Sequence, residues 1–482
     1  MDTKPLRVLF YTAILAFGAT LLAATYSLVS TPAPLSVKQS DFDLEDVTVI
    51  NPGMDRREHV TVRVKGSTIA AISAFAQSPG RLSPPFAGSF VLPGLIDMHV
   101  HHPSKRLQTD VRYFDLLHLA YGVTTVRDCG SVDGSTLELR SQIKEGQFPG
   151  PRIFACGRII DGDPPFWPGA TIARNYREGS ITVDQFAASG VDCIKVYSNL
   201  SADALAGVRT EAKKLHLTLV GHVPISVPIE DAGLDDVQHL TGVPGLPVVA
   251  PSGLIDAILA GWDSIDESRI DLVVRSALLH GTAHTPTIIV LEQLLRLQDY
   301  RELRNDPAAQ LLPRYYREVL WSPGRIAGWT PPALDEVTRN RISKNIRLVV
   351  RRMHEAGVTL HVGSDTLNPF VVPGAALHEE LANFVESGFT PEQALEAATR
   401  GNGASLREPQ LGILAAGAPA DMIVLSKDPT GDLAALSTIR AVIARGRFYS
   451  KSELDNSVDQ YRKYFGGWTY DHLMTLIFRL FA

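Results

Sequence analysis

The stretch Val91-Leu92-Pro93-Gly94-Leu95-Ile96-Asp97-Met98-His99-Val100-His101-His102 largely decides which fold the chain adopts. Its apolar part predicts a buried β-strand that ends in polar residues. Successive side chains of a strand point to opposite faces, so His99 and His101 point the same way. Two imidazoles on one face can bind one metal ion between them. We therefore expect this strand to carry the first ligands of a metal site.

The middle of the chain, from about Pro93 to Ser405, alternates short apolar runs with longer amphipathic stretches. This pattern is typical of βα units and a parallel sheet. Eight strands are predicted, at Gly94–Val100, Thr124–Arg127, Arg152–Cys156, Cys193–Val196, Thr218–Gly221, Asp236–His239, Ala283–Ile288 and Thr359–Gly363. They predict an α/β fold, a (β/α)8 TIM-like barrel with its active site at the carboxyl ends of the strands. An open doubly wound sheet is the alternative, but no Gly-x-Gly-x-x-Gly turn follows the early strands.

Short β-rich runs also lie on both sides of this middle part, at Asp46–Ile50, His59–Val64, Thr68–Ile72, Met422–Leu425 and Ile439–Ala444. They predict a small β-sandwich domain composed of both chain ends, with its two parts at 42–92 and 405–450. The barrel would occupy 93–404. A helical tail is expected at 451–482, where Leu473, Leu476, Ile477, Leu480 and Phe481 recur at helical spacing.

The N-terminal part, residues 1–35, is expected to be a signal peptide or membrane anchor followed by a linker. Lys4 and Arg7 precede an apolar run from Val8 to about Val29, which is typical of an export signal. A run of about 20 residues is also long enough to span a bilayer, so cleavage and retention both stay open. In either case the body of the protein would be exported, to the periplasm or the exterior, and membrane association would use residues 8–29.

Amino-acid composition limits the kinds of molecule that the protein is expected to bind. The 482 residues are 45% hydrophobic and 20% charged, as in an ordinary globular protein. The net charge is −6 and no basic stripe occurs, so nucleic acid is set aside as a partner. Cys129, Cys156 and Cys193 are too few for a disulfide scaffold, and their apolar surroundings predict small buried core residues.

Polar residues of three types mark the carboxyl ends of the predicted strands: His99, His101, Lys195, His222, His239 and Asp365. A barrel would bring all of them to one mouth. Imidazole nitrogen and carboxylate oxygen are ligands that suit zinc, and a catalytic zinc keeps one position open for water. One such histidine would be a weak signal. Matched ends on several strands predict a metal centre.

The sequence also resembles the amidohydrolase superfamily, specifically its imidazolonepropionase-like and prolidase-like branch, from about Leu44 to Gly446. The resemblance rests on motifs that occur in the family's order: Leu92 to His101, Gly122-Val123-Thr124-Thr125-Val126-Arg127-Asp128, Ile194-Lys195-Val196-Tyr197, Gly221-His222-Val223-Pro224, Gln238-His239-Leu240-Thr241-Gly242, Gly363-Ser364-Asp365 and Gly417-Ala418-Pro419-Ala420-Asp421-Met422-Ile423-Val424-Leu425.

The resemblance implies a centre of two divalent ions, most simply zinc. The more buried ion would be bound by His99, His101 and Asp365, and the more exposed one by His222 and His239.

Lys195 would bridge the two ions. The resemblance implies that its amine takes up carbon dioxide to become a carbamate, because an ammonium group offers a cation no lone pair. A plain lysine beside a single ion is the alternative.

Two ions a few ångströms apart would share a water and lower its pKa, and the bridging hydroxide would attack the substrate carbonyl. Asp365 would accept the proton of that water and pass it to the departing nitrogen. Tyr197 lies two residues beyond Lys195 on the same strand face, so it either donates to the developing oxyanion or is a packing residue. His102 and His378 are expected to lie outside the ligand set.

These features predict a metal-dependent hydrolase of an amide bond in a dipeptide, a cyclic amide or an N-acyl amide. A lactone or phosphoester hydrolase on the same centre is the alternative, and a non-catalytic scaffold is a further one. An aromatic deaminase is disfavoured because those relatives normally lack the bridging lysine. The Pro- and aromatic-rich loop at 163–169 is expected to form a rigid apolar wall at the mouth. The insertion at 292–345 either covers or shapes the site or, given its mixed charges, forms a solvated helical face. A homo-oligomer, a dimer or larger ring, is expected from the family.

Overall fold

The structure is a computed structural model that describes residues 18, 30–36, 39–76, 83–131, 133–245, 254–323, 325, 334–408 and 410–481. The strands, in chain order, are β1 (Phe42–Val49), β2 (Arg57–Lys65), β3 (Thr68–Ala74), β4 (Phe90–Pro93), β5 (Leu95–Val100), β6 (Val123–Asp128), β7 (Arg152–Ala155), β8 (Ile159–Asp161), β9 (Thr171–Ile172), β10 (Cys193–Val196), β11 (Thr218–Gly221), β12 (Asp236–Gln238), β13 (Ala283–Thr285), β14 (Met422–Leu425), β15 (Ile439–Ala444) and β16 (Arg447–Ser450).

The α-helices, in chain order, are α1 (Gln108–Ala120), α2 (Thr136–Glu145), α3 (Tyr176–Ser189), α4 (Ala202–Lys214), α5 (Leu254–Asp263), α6 (Glu267–His280), α7 (Ile288–Arg296), α8 (Tyr300–Leu303), α9 (Glu336–Ala356), α10 (Ala375–Glu386), α11 (Pro391–Glu396), α12 (Asn402–Ser405), α13 (Lys451–Phe465) and α14 (Trp468–Phe481). The last two form the tail that the sequence predicts to be helical.

The predicted export segment at 8–29 lies outside the described residues except for Gly18. None of the helices in the described part of the chain combines the length and the apolar character needed to cross a membrane.

Strands from both chain ends join in one sheet of seven strands, in the order β16-β15-β14-β4-β1-β2-β3. Strand β4 links the two halves, because it pairs parallel with β1 and antiparallel with β14. On β2, Val60, Val62 and Val64 are buried while their neighbours point outward, as expected for a sheet with one covered face. The sheet built from both ends is observed, whereas its two-layered sandwich form and the domain boundaries stay predictions.

The strands between these ends form two parallel sheets, β5-β6-β7 and β13-β12-β11-β10-β8-β9. The prediction of a regular eighth strand at Thr359–Gly363 was wrong, because the segment forms an isolated bridge, Leu360 with His284, and no ladder. The segment still makes backbone hydrogen bonds to both sheets. His361 N donates to His284 O at 2.8 Å, and Met98 N donates to Val362 O at 3.0 Å. The parallel α/β core is thereby confirmed. It places the carboxyl ends of β5, β10, β11 and β12 next to the segment that carries Asp365.

The strand predicted at Ala283–Ile288 was wrong in its second half. Ala283–Ile288 leaves the extended conformation after Thr285, because Thr287 has a φ of 46° and α7 begins at Ile288. The buried Glu380 accepts hydrogen bonds from Ile288 N and Ile289 N, both at 2.8 Å, and so caps this helix. An apolar run alone does not distinguish a buried strand from a buried helix start.

The cysteines are buried as expected, but the prediction that all three are plain core residues was wrong for two. Cys156 and Cys193 form a disulfide, and Cys129 is free. The two partners lie 37 residues apart, at the end of β7 and the start of β10, with Cα atoms 4.4 Å apart. Such a pairing follows from the approach of strands in space, which the chain spacing does not show.

Gly221 tests the packing of β11 against β10. Its φ is +143°, and a Cβ there would lie 2.1 Å from Val196 O. We expect Gly221→Ala to lower the free energy of unfolding by about 2–4 kcal/mol, because the backbones of two paired strands must separate. Urea unfolding followed by circular dichroism measures this loss.

Gly281→Ala is the matched control, because Gly281 also has a positive φ, +65°, but no atom within 4 Å of the added Cβ. It should cost only about 1 kcal/mol. Equal losses in the two variants would contradict the packing explanation.

Candidate metal centre

The predicted strand-end residues converge at one end of the parallel core. His99 and Lys195 lie within β5 and β10, whereas His222 and His239 directly follow β11 and β12. Asp365 comes two residues after the segment at 359–363. Since parallel strands present their carboxyl ends to the same side, the topology alone collects these side chains.

The carboxylate of Asp365 lies between the imidazoles. Its Oδ1 is 3.1 Å from His101 Nε2 and 3.3 Å from His99 Nε2, and its Oδ2 is 3.4 Å from His239 Nδ1. His99, His239 and Asp365 each offer one ligand atom, and these atoms all lie within 4.8 Å of one another. The His222 ring lies beside that of His239, with centroids 4.8 Å apart. These side chains supply ligand atoms of the types and at the spacing that a divalent cation requires.

The hydrogen bond of His101 determines which of its nitrogens faces the site. Its Nδ1 is 2.6 Å from Gly130 O, and a carbonyl only accepts, so Nδ1 carries the proton. In the neutral ring, Nε2 therefore presents a lone pair to Asp365 Oδ1. A cation bound between this nitrogen and the carboxylate oxygen would be attracted by both atoms.

Ser198 and Thr287 occupy the same outer position at two other rings. Ser198 Oγ is 2.8 Å from His222 Nδ1, and Thr287 Oγ1 is 2.7 Å from His239 Nδ1. His222 Nε2 is buried without a hydrogen-bond partner in the described part of the chain. Because buried polar atoms are normally paired, such an atom suits a metal ligand. Sequence reasoning missed both hydroxyls; the only signal for Ser198 was its place three residues after Lys195.

Burial keeps these imidazoles in the form that binds metal. It lowers the pKa of His99 and of His222 well below the usual range, and that of His239 to about 4. Burial alone would raise the pKa of Asp365, but its interactions with His239, His101 and Lys195 bring it below its ordinary value. Neutral imidazoles and an ionised carboxylate are the ligand forms for a divalent ion at neutral pH.

Lys195 is fully buried, and its Nζ donates to Gln238 Oε1. Burial lowers the pKa of Lys195 to about 8, so part of the amine is neutral near neutral pH. Only a neutral amine can add to carbon dioxide, which fits the carbamate prediction without excluding a plain lysine. Gln238 belongs to the motif around His239, but its partnership with Lys195 was not predicted.

Asp97 connects the first ligand to the last. This buried carboxylate accepts from His99 N at 3.1 Å, from Ser364 N at 2.9 Å and from Ser364 Oγ at 2.5 Å. Burial raises the pKa of Asp97 to about 7, opposed by those hydrogen bonds. It thus joins β5 to the backbone that positions Asp365. The sequence showed Asp97 beside the histidines but gave no sign of this contact.

His102 lies within a buried ionic cluster. Its Nδ1 is 2.8 Å from Asp128 Oδ2, and its Nε2 is 3.1 Å from Asp115 Oδ1. Burial opposes its charge, but the two carboxylates raise the pKa of His102 to about 10. Asp128 Oδ1 also accepts from Gly130 N at 3.0 Å, and this links the cluster to the carbonyl that orients His101.

His378 lies outside the ligand set. Its Nε2 is 2.8 Å from Tyr121 O, so it joins α10 to the end of α1. This contact matches the structural role expected for it.

A cavity of about 250 Å³ adjoins the polar centre. Phe166 and Trp167, from the loop at 163–169, form part of its wall. The insertion contributes Leu294, whereas Trp321 is buried against Tyr316 and Phe370 and does not line the cavity. Trp329 lies outside the described residues.

Tyr197 faces this cavity next to the imidazoles. Its ring stacks on His222 with centroids 3.8 Å apart. Burial raises the pKa of Tyr197, so the hydroxyl keeps its proton. That hydroxyl donates to none of the described residues and is free to bind a substrate oxygen.

An α/β core with histidine and carboxylate donors at its strand ends defines a candidate metal-dependent hydrolase. Residues 90–449 match the model of the amidohydrolase family, and the chain belongs to that family. Family membership supports hydrolysis as the reaction class and divalent metal as the cofactor.

Individual relatives and solved structures share low sequence identity with this chain. An uncharacterized protein of Mycobacterium tuberculosis is 24% identical over 382 residues, which cover 76% of this chain and 86% of that protein. A solved Xaa-Pro dipeptidase with bound methionine is 20% identical, with 85% of this chain and 100% of that chain covered and a TM-score of 0.61. A bottromycin amidohydrolase is 22% identical, with 92% and 94% covered and a TM-score of 0.68. These structures show a shared, TIM-barrel-like fold.

Ser198→Ala tests whether the outer hydroxyl supports His222 as a ligand. We expect Zn²⁺ affinity to fall about 10–100-fold, because the ring loses the partner that holds its orientation. Competition against a chromogenic chelator measures the affinity.

Ser189→Ala makes the same change at an exposed hydroxyl that binds Phe186 O, and it should leave affinity unaltered. Unchanged affinity in Ser198→Ala would contradict the supporting role.

The buried His102 cluster predicts a pH dependence of stability. Its folded pKa, about 10, exceeds the unfolded value of about 6.5. The stabilisation is therefore complete below about pH 6.5 and is lost as pH rises toward 10. His102→Gln should flatten the decline of unfolding free energy between about pH 7 and 10, measured by urea unfolding.

His59→Gln, at an exposed histidine paired with Asp46, should keep nearly the wild-type slope. If the unfolding free energies of the wild type and of His102→Gln declined equally with pH, the cluster would not bind an extra proton in the folded state.

Proposed function

We propose that the protein is a metal-dependent hydrolase that cleaves an amide C–N bond in a dipeptide, a cyclic amide or an N-acyl amide. The observation that carries the proposal is the approach of three imidazoles, those of His99, His101 and His239, to within 3.1–3.4 Å of the Asp365 carboxylate, beside a cavity. In this proposal the parallel strands close into a (β/α)8 barrel, and the site occupies its carboxyl-end mouth.

Two divalent ions, with zinc preferred for this ligand chemistry, would lower the pKa of a water and polarise the substrate carbonyl when bound. We assign the more buried position to His99, His101 and Asp365, and the more exposed position to His222 and His239. The hydrogen bonds that Nδ1 makes in His101, His222 and His239 support these three rings as ligands.

Lys195 would bridge the two positions as a carbamate. Its burial and its lowered pKa support this role, because they make the neutral amine available to carbon dioxide.

The chain's own residues would manage the protons. Asp365 would take a proton from the attacking water and deliver it to the departing nitrogen. Asn368 Nδ2 donates to Asp365 Oδ2 at 2.6 Å, which holds the carboxylate plane in place. The Tyr197 hydroxyl would donate to the oxyanion that develops on the carbonyl, and its stacking on His222 fixes the ring.

We also propose export through the apolar segment at 8–29, as the positive flank at Lys4 and Arg7 suggests. Cell fractionation with and without residues 1–35 would test this. A homo-oligomer stays an expectation that sedimentation analysis would decide.

Metal analysis and a substrate panel on the full chain test the proposed function together. Close to two zinc-like ions per chain and turnover of at least one amide class are expected. Lys195→Ala should lose both metal and activity, with partial rescue by short carboxylic acids. Activity confined to lactones or phosphoesters would favour the alternative chemistry, and a metal-loaded but inert protein would favour a scaffold.

Tyr197→Phe separates oxyanion stabilisation from packing. We expect kcat to fall about 100-fold with metal content unchanged, because the ring stays and only the donor is removed. Steady-state kinetics together with metal analysis measure both quantities.

Tyr176→Phe, at an exposed tyrosine on α3, is the control and should retain wild-type kinetics. Full activity in Tyr197→Phe would leave Tyr197 as a packing residue.

A further inference from the structure

We infer that the substrate is an uncharged amide that places an aromatic or branched alkyl group in the cavity, where a free dipeptide would place a charged terminus. This inference rests on the proposed amide hydrolase and deepens it. The wall of the cavity and the state of its polar side chains carry it.

The wall beside the imidazoles is mostly apolar. Helix α7 contributes Val290, Leu291 and Leu294, and the loop after His222 contributes Ile225. Trp262, only 1% exposed, lines the same space, whereas Phe166 and Trp167 are about 40% exposed and reach the solvent. An apolar group that leaves water for this cavity gains free energy in proportion to the area it buries.

No lysine or arginine lines the cavity among the residues that the structure describes. Arg269 does not line the cavity, and its guanidinium donates to Val243 O and Gly242 O. Arg158, next to the lining residue Ile159, donates to Asp133 O. The segments at 246–253 and 326–333, outside the described residues, contain no charged residue in their sequence. His102 also lines the cavity, but it is already paired with Asp115 and Asp128. Among the described residues, the wall therefore offers a substrate carboxylate no free side-chain counter-ion.

Three other polar side chains of the wall already make hydrogen bonds to the protein. Ser198 binds His222, and Asn368 binds Asp365. Thr241 Oγ1 donates to Gln238 O and accepts from Val223 N. The Tyr197 hydroxyl is left for a substrate oxygen, which suits one amide carbonyl.

A charged substituent would therefore be buried without a partner. Removing a charge from water without compensation is far more costly than removing a neutral group of the same shape. A pocket rejects a substrate strongly when a buried charged or polar group is left unpaired. It distinguishes substrates only weakly when they differ by one methylene. Charge should thus be the main criterion by which this wall selects its substrate.

Two acetanilides of nearly equal shape test the inference on the metal-loaded full chain: para-isopropylacetanilide, which is neutral, and para-acetamidobenzoate, which carries a carboxylate at the same place. We expect kcat/KM for the neutral compound to be at least about 100-fold higher. An equal or higher value for the carboxylate would overturn the inference.

Ile225→Arg introduces the missing cation at a lining position that is half exposed and can accept a long side chain. The preference for the neutral compound should fall at least about 10-fold, whereas Ile225→Met should keep the wild-type ratio. An unchanged ratio in Ile225→Arg would show that this wall does not select by charge.

Binding measurements distinguish a failure of this inference from a failure of the proposed function. If neither compound is hydrolysed, the amide hydrolase proposal fails for arylamides, and calorimetric titration of both compounds decides the inference alone. A Kd at least about 100-fold lower for the neutral compound supports it, and equal or tighter binding of the carboxylate overturns it.

Discussion

The candidate centre depends on one buried carboxylate, Asp97, which hydrogen-bonds to backbone 267 residues away. It accepts from His99 N and from both the amide and the hydroxyl of Ser364, the neighbour of Asp365. A carboxyl group in such surroundings is stable only if its oxygens accept hydrogen bonds, so Asp97 constrains the positions of His99 and Ser364. The first and last ligands are thereby held in a common frame before any ion binds.

The features that could be predicted are those that local sequence determines. Strand alternation places His99 and His101 on one face, and parallel topology brings His222, His239 and Asp365 to the same end. The disulfide of Cys156 and Cys193 could not be predicted, because pairing depends on which strands become neighbours. The extra strand β8 was missed for a related reason, since three residues carry too little pattern to be distinguished from a turn.

The outer partners of the ligands were missed because they come from elements remote in the chain. Ser198 follows β10 but supports a histidine that follows β11, and Thr287 supports His239 across 48 residues. A hydroxyl next to an imidazole has no sequence signature, whereas the imidazole itself does. Candidate metal ligands can therefore be predicted from spacing, whereas the groups that orient them require coordinates.

One physical cause connects the chemistry of the centre with the choice of substrate. Burial lowers the histidine pKa values, which leaves nitrogen lone pairs available to a cation, and raises the pKa of Tyr197, which keeps its hydroxyl a donor. The same exclusion of water penalises any charge that a substrate brings without a counter-ion. A cation at the wall would relieve that penalty, yet it would also repel metal ions bound nearby and weaken their binding. An apolar wall avoids this conflict, so the proposed two-cation site is well matched to a neutral amide.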